Sequence, residues 1–153
     1  MYIEEKKYKQ IIQYSIIQTI DIICINHNKQ ILLWKRNNQP LQWVYYIPWW
    51  RRYKWETIPQ SAKRKMEEEL WLQIDAEKLL FLWVYDDIFN DSMYEDVGIH
   101  CSPITFVYPL SIEEEPQIRG DNQHSDFKFF DQDDNSLHDM VKLRIKDIQN
   151  LSL

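Results

Sequence analysis

Glycine is almost missing from this chain. Of 153 residues only Gly98 and Gly120 lack a side chain, where average usage of about 7% would supply roughly ten. Glycine takes φ > 0 and lets backbone approach backbone at no steric cost. A chain so short of it must build tight turns and helix ends from other residues, or accept strain there. The same sequence has 7 tryptophans, and three of them crowd into one short stretch. Pro48 to Glu56 reads PWWRRYKWE, three indoles among Arg51, Arg52 and Lys54. That much indole belongs in a core or on a binding face, yet its neighbours describe a solvated loop.

The length suits one domain with a real core, and residues 1–153 read as a single domain. Apolar residues are 44% and charged residues 27%, which fits a globular protein. The formal charge of -6 disfavours nonspecific binding to nucleic acid. Cys24 and Cys101 could form one bridge, but there is no disulfide framework and no CxxC metal motif. A reducing, cytoplasmic setting follows as the expectation. The start, MYIEEKKYKQIIQYS, has no apolar core of a signal peptide. No apolar run approaches the ~18 residues of a membrane span, so no membrane partner is expected.

Periodicity and turn signals predict a helix over 4–14, strands over 15–26 and 31–35, and a strand over 43–47 that stops at Pro48. The clearest helix covers 57–70, with Thr57 near its start and Pro59 in its first turn. Strands over 78–88, 99–110 and 126–130 and a helix near 135–150 follow. Mixed strands with central and terminal helices fit an α/β or α+β sandwich.

From Trp50 the chain reads W-RRYKW-E-TIPQSAK-R-KMEEELWL. With glycine in place of tryptophan this is G-x5-E-x7-R-x-x-x-E-E-x-G-apolar. The pattern resembles the Nudix box, a loop-helix-loop that holds a divalent metal against a diphosphate. Glu56, Arg64, Glu68 and Glu69 match its positions. Alone, the run Glu67-Glu68-Glu69 would read as a solvated acidic helix face; the whole spaced pattern does not. The preceding ILLWKRNNQPLQW-VYYIPWWR is similar to the segment that leads into the box of GDP-mannose mannosyl hydrolases. That branch loses the first glutamate after the arginine, and here that position is Lys65. It also carries a late Gln-His pair, matched by Gln123-His124. The resemblance implies a Nudix α/β/α sandwich with a mixed sheet.

Against this family the tryptophans form a set. Trp34, Trp43, Trp49, Trp50, Trp55, Trp71 and Trp83 all stand where the family commonly has glycine. Seven independent swaps of this kind are uneconomical, and one cause accounts for them all. UGA lies one base from a glycine codon; some bacteria read it as glycine and others as tryptophan. The expectation is UGA codons for glycine translated as tryptophan, with Gly98 and Gly120 written in ordinary GGN codons. UGG codons at the seven positions would exclude it.

The resemblance implies hydrolysis of a nucleoside diphosphate sugar, GDP-mannose or similar, by water attack at the anomeric carbon, with release of nucleoside diphosphate and sugar. Mg²⁺, with Mn²⁺ as the alternative ion, would be held by Glu68, Glu69, Gln123 and the backbone carbonyl of Trp49, because hard cations prefer oxygen ligands. His124 would be the general base, with a ring that titrates near neutrality. Asp21, mid-strand among apolar residues, either lies near substrate with a buried partner or faces water at a strand edge. Arg36, Arg51 and Arg64 match positions that bind the diphosphate or support the site, and guanidinium groups suit phosphate. Arg36 and Asp21 join His124 in the expected catalytic set. Cys101 falls near a family tyrosine that helps bind substrate, and His27, His100 and His138 read as structural. The family also implies a homodimer. Two alternatives stay open: an ordinary Nudix pyrophosphohydrolase that attacks phosphorus, and a catalytically dead Nudix fold that only binds, which bulky indoles in the phosphate loop would favour.

Overall fold

The computed structural model describes residues 1–94, 96–118 and 126–151. Its elements run α1 (Glu5–Tyr14), β1 (Ile17–Ile25), β2 (Ile31–Lys35), β3 (Tyr45–Tyr46), β4 (Trp49–Arg51), α2 (Ile58–Leu70), β5 (Leu80–Val84), β6 (Asp87–Phe89), β7 (Ile99–Pro109), β8 (Phe127–Phe130) and α3 (Asp139–Gln149). One sheet gathers the strands in the order β3-β2-β1-β7-β5, with β4 on β1, β6 on β7 and β8 on β2. The β1–β7 ladder is parallel and runs from Ile17↔Cys101 to Ile25↔Pro109. The remaining pairings are antiparallel. This is the expected α/β/α sandwich with a mixed sheet.

The alternation of β1 sets the layers, because successive side chains leave a strand on opposite faces. Ile20, Ile22 and Cys24 pack with Ala62, Met66 and Leu70 of α2. Ile23 and Ile25 pack with Val141, Ile145 and Ile148 of α3. Each helix buries one apolar stripe and the sheet is covered on both faces, which is why β1 is buried along nearly its whole length. α1 closes one end, where Ile12 meets Ile17, Ile99 and Cys101.

One expected strand shortens and another divides. The strand over 43–47 is reduced to β3 and stops before Pro48, and β4 follows at Trp49–Arg51, beyond the expected range. Proline cannot donate to a ladder, but the chain resumes pairing on another strand beyond it. The strand over 78–88 splits into β5 and β6, with a register shift between Phe81 and Trp83. Such a bulge bends the strand and leaves an extra residue. Cys24 and Cys101 are free and buried. They sit at opposite ends of the parallel ladder, Cys24 beside Tyr108 and Cys101 beside Ile17, so no bridge joins them.

The tryptophans do not share one environment. Trp43, Trp55 and Trp71 have φ of 68, 71 and 58°, in the left-handed region. All three are exposed. Trp71 ends α2, where its N–H donates to the carbonyl of Glu67 and that of Leu72 reaches back to Met66. That is the helix stop in which glycine is usual. Trp34 and Trp50 are buried instead: Trp34 stacks near Phe127 and Trp50 donates Nε1 to Oγ of Ser61 at 3.0 Å. At Gly98 an added Cβ would stand 2.6 Å from the carbonyl oxygen of Phe89. The β6–β7 hairpin therefore has no room for a side chain there.

Candidate active site

α2 begins with a capping box. The Thr57 side chain accepts from the N–H of Gln60, and Gln60 returns the bond to the Thr57 N–H. This fixes where the helix starts, and so which residues its later turns present. Arg64 lies eight residues beyond Glu56 and reaches back over the loop. Its Nε and Nη2 donate to the two oxygens of Glu56 at 2.5 and 2.9 Å. The Tyr53 N–H donates to the same carboxylate at 3.0 Å. The Arg64 bonds above all hold the Glu56 carboxyl down to about 2. Tyr53 is also the platform of the site: Arg64 lies 3.8 Å and Arg51 5.2 Å from its ring centroid.

Further along α2, Arg64 Nη1 approaches Glu68 at 3.4 Å. Lys65 Nζ stands 2.5 Å from Glu69 and 3.5 Å from Glu68. Glu56, Glu68 and Glu69 thus form a chain of carboxylates linked through Arg64 and Lys65. Among the described residues no three acidic, histidine or cysteine side chains converge on one point where an ion could sit. Glu68 and Glu69 still offer adjacent hard anionic oxygens, the donor type that Mg²⁺ accepts. Further ligands must come from backbone, from other residues or from a bound phosphate. Gln123 and His124 lie outside the described residues.

Trp49 opens β4 opposite Asp21 of β1. The half-buried Arg36 lies 4.9 Å from the Trp49 ring centroid and donates Nε to the carbonyl of Pro40 at 2.7 Å. Burial lowers its ordinary value to about 10, which leaves it charged at neutral pH. A cavity of about 110 Å³ lies beside it, lined by Tyr8, Ile12, Arg36, Pro40, Trp49 and Ser92. A larger concavity of about 640 Å³ lies between Lys29, Asp131 and Ile148 and contains none of the expected site residues. Arg51 turns outward, over Tyr8 and Tyr53, and donates to the Met1 carbonyl.

Asp21 is fully buried on the α3 face of β1 and does not face water at an edge. Arg144, also fully buried, reaches it at 3.2 Å and Asp87 at 2.7 Å. Burial raises the Asp21 carboxyl to about 6, with Arg144 opposing. Tyr46 donates to Asp87 at 3.1 Å. The sequence carried a signal for this cluster. Asp21 interrupts an apolar strand, and Arg144 interrupts the stripe Val141, Ile145 and Ile148. Opposite charges in two facing apolar surfaces are natural partners. The Tyr53 platform had no comparable signal, since an aromatic residue in a polar loop does not reveal what it stacks on. Of the histidines, His138 caps α3 by accepting from the Met140 N–H, His100 pairs with Asp86, and His27 approaches Glu115. Cys101 is packed among Ile12, Ile17 and Ile99.

Known proteins share this architecture. A MutT NUDIX hydrolase of Burkholderia pseudomallei superposes with a TM-score of 0.69 at 20% identity, over 86% of this chain and 97% of that one. The NUDIX domain of Shewanella oneidensis NrtR, solved with ADP ribose, gives 0.67 at 16% identity, over 97% and 98%. For a MutT/nudix family protein from Enterococcus faecalis, at 0.60 and 13%, the match takes in 85% of this chain and spans 57% of the other. In sequence, the low-salt glycan biosynthesis protein Agl8 of Haloferax volcanii is 24% identical over 141 residues, 92% of this chain and 86% of that protein. The NUDIX domain model matches residues 17–150. The loop-helix geometry and that match agree: this chain belongs to the Nudix hydrolase family.

Proposed function

We propose that the chain hydrolyses a nucleoside diphosphate sugar, GDP-mannose or a relative, by water attack at the anomeric carbon. The carrying observation is the changed Nudix helix. It keeps Arg64, Glu68 and Glu69 but has Lys65 where the family pattern has a further carboxylate, and the lysine pairs with Glu69. A site with less negative charge suits a departing diphosphate better than multi-ion activation of a water at phosphorus. The similarity to a glycan biosynthesis protein supports a sugar substrate.

In this reading Glu68 and Glu69, with Gln123 and the Trp49 carbonyl, hold Mg²⁺ or Mn²⁺, which supplies charge stabilisation to the leaving diphosphate. Arg36, Arg51 and Arg64 bind or frame that diphosphate, and His124 takes the proton from water. Asp21 serves through its contact with Arg144 and its place opposite Trp49, as a positioning residue. The reading includes a cytoplasmic homodimer; a monomer in light scattering at working concentration would count against the dimer. Hydrolysis in H₂¹⁸O tests the chemistry directly. Label in the released sugar is expected, and label in phosphate would establish attack at phosphorus instead.

A further inference from the structure

The acidic end of α2 carries a cation of its own. Lys65 extends one turn along the helix, with Nζ 2.5 Å from Oε1 of Glu69. The same ammonium lies 3.5 Å from Oε2 of Glu68. The Lys65 and Glu69 side chains are only 17% and 13% exposed. Lysine heads are normally solvated, so an ammonium drawn in this far is held by its partners. Arg64, the neighbouring residue, already binds Glu56 and touches the same Glu68 oxygen. Three carboxylates thus face two cations, and the carboxylate nearest Lys65 is one that the proposed function needs for its ion.

Resting on that function, we propose that Lys65 is a resident counter-ion of the metal site, which a divalent ion must displace from Glu69. A metal and an ammonium cannot both sit against the same carboxylate oxygen, because like charges at contact distance repel strongly where water is scarce. Before the ion arrives, Lys65 keeps Glu68 and Glu69 paired and the end of the helix neutralised. When the ion arrives, the flexible four-carbon stem lets the ammonium swing away without moving the helix. The cost of that displacement lowers metal affinity. Lys65 therefore sets how much divalent ion the site requires.

Mn²⁺ titration of the full chain, read by electron paramagnetic resonance without substrate, tests this. Lys65→Met should bind Mn²⁺ on the order of tenfold more tightly, the effect of removing one well-placed competing charge. Lys65→Arg keeps the charge and should stay near the parent. Glu69→Gln should weaken binding in both the parent and the Lys65→Met background. Lys65→Gln replaces Lys65→Met if circular dichroism shows that the methionine variant does not fold. Unchanged Mn²⁺ affinity on neutralising Lys65, with binding still dependent on Glu69, overturns the counter-ion role and leaves the metal site intact. Binding that ignores Glu69 in both backgrounds removes the metal site itself, and the inference with it.

Discussion

Trp55 and Trp71 are costly where they stand. Both hold φ near 60–70° with the indole in solvent, a backbone state that costs a non-glycine residue roughly 1–2 kcal/mol. Little packing opposes their removal. Trp55→Gly and Trp71→Gly should therefore each raise stability by about 1 kcal/mol, read as a shift of the urea midpoint at unchanged slope. Trp50→Gly is the contrast. Its buried indole bonds Ser61 and packs against α2, so its loss should cost about 3–5 kcal/mol in this chain. A uniform gain at all three positions would mean that the indole at 50 is not part of the core. Glu56 makes a second prediction at this scale. Its carboxyl is lowered from 4.5 to about 2, chiefly by Arg64. A depressed carboxylate contributes stability that is complete above the unfolded value and disappears as pH falls through the folded one. Stability should decline between about pH 4.5 and 2 more steeply in the parent than in Glu56→Gln. Equal acid profiles would show that the ion pair contributes nothing.

The elements are joined across the sheet by charge as well as by apolar contact. Arg144 of α3 meets Asp21 of β1 and Asp87 of β6, and all three are buried. Removing the guanidinium leaves two carboxylates in a dry interior. Arg144→Met should cost about 3–5 kcal/mol in denaturant unfolding at neutral pH. The loss should shrink as pH falls toward 4, because the freed carboxyls can then take up protons. Asp21, already raised to about 6, should take up its proton within that range. A loss independent of pH would place the effect in packing rather than charge. α2 is held to the sheet by apolar contacts with β1, and its capping box and left-handed stop fix its ends locally.

At the scale of the molecule, the loop between β4 and α2 brings Glu56 under Arg64, and α2 carries Glu68 and Glu69 beyond them. The proposed general base and metal ligand should separate by their mutants. His124→Ala should lower kcat by roughly 10²–10⁴-fold with little change in KM. Glu69→Gln should lose activity that added Mg²⁺ partly restores. Near-full NDP-sugar hydrolysis without His124 would remove its role as base.

The legible part of this protein was local. Thr57, Pro59 and the run to Leu70 marked α2 because capping and helix propensity act within a few residues. The Arg64, Glu68 and Glu69 spacing was visible because the helical period fixes which of them share a face, and Glu56 was visible from its place just before the cap. Asp21 stood out as a charge in an apolar strand, but its partner is 123 positions away, and only the packing of α3 on the sheet selects Arg144. The break of β5 from β6 was likewise undecided locally, since an apolar run can pair continuously until its neighbours set the register, whereas Pro48 marked the end of β3 in the sequence itself. The seven tryptophans show the same division. Their count and placement are properties of the sequence, but φ is set by the path of the backbone. Tertiary structure made three of them left-handed and exposed and sealed Trp34 and Trp50 into the core, because an indole stays in solvent only where the surrounding layers leave no space for it.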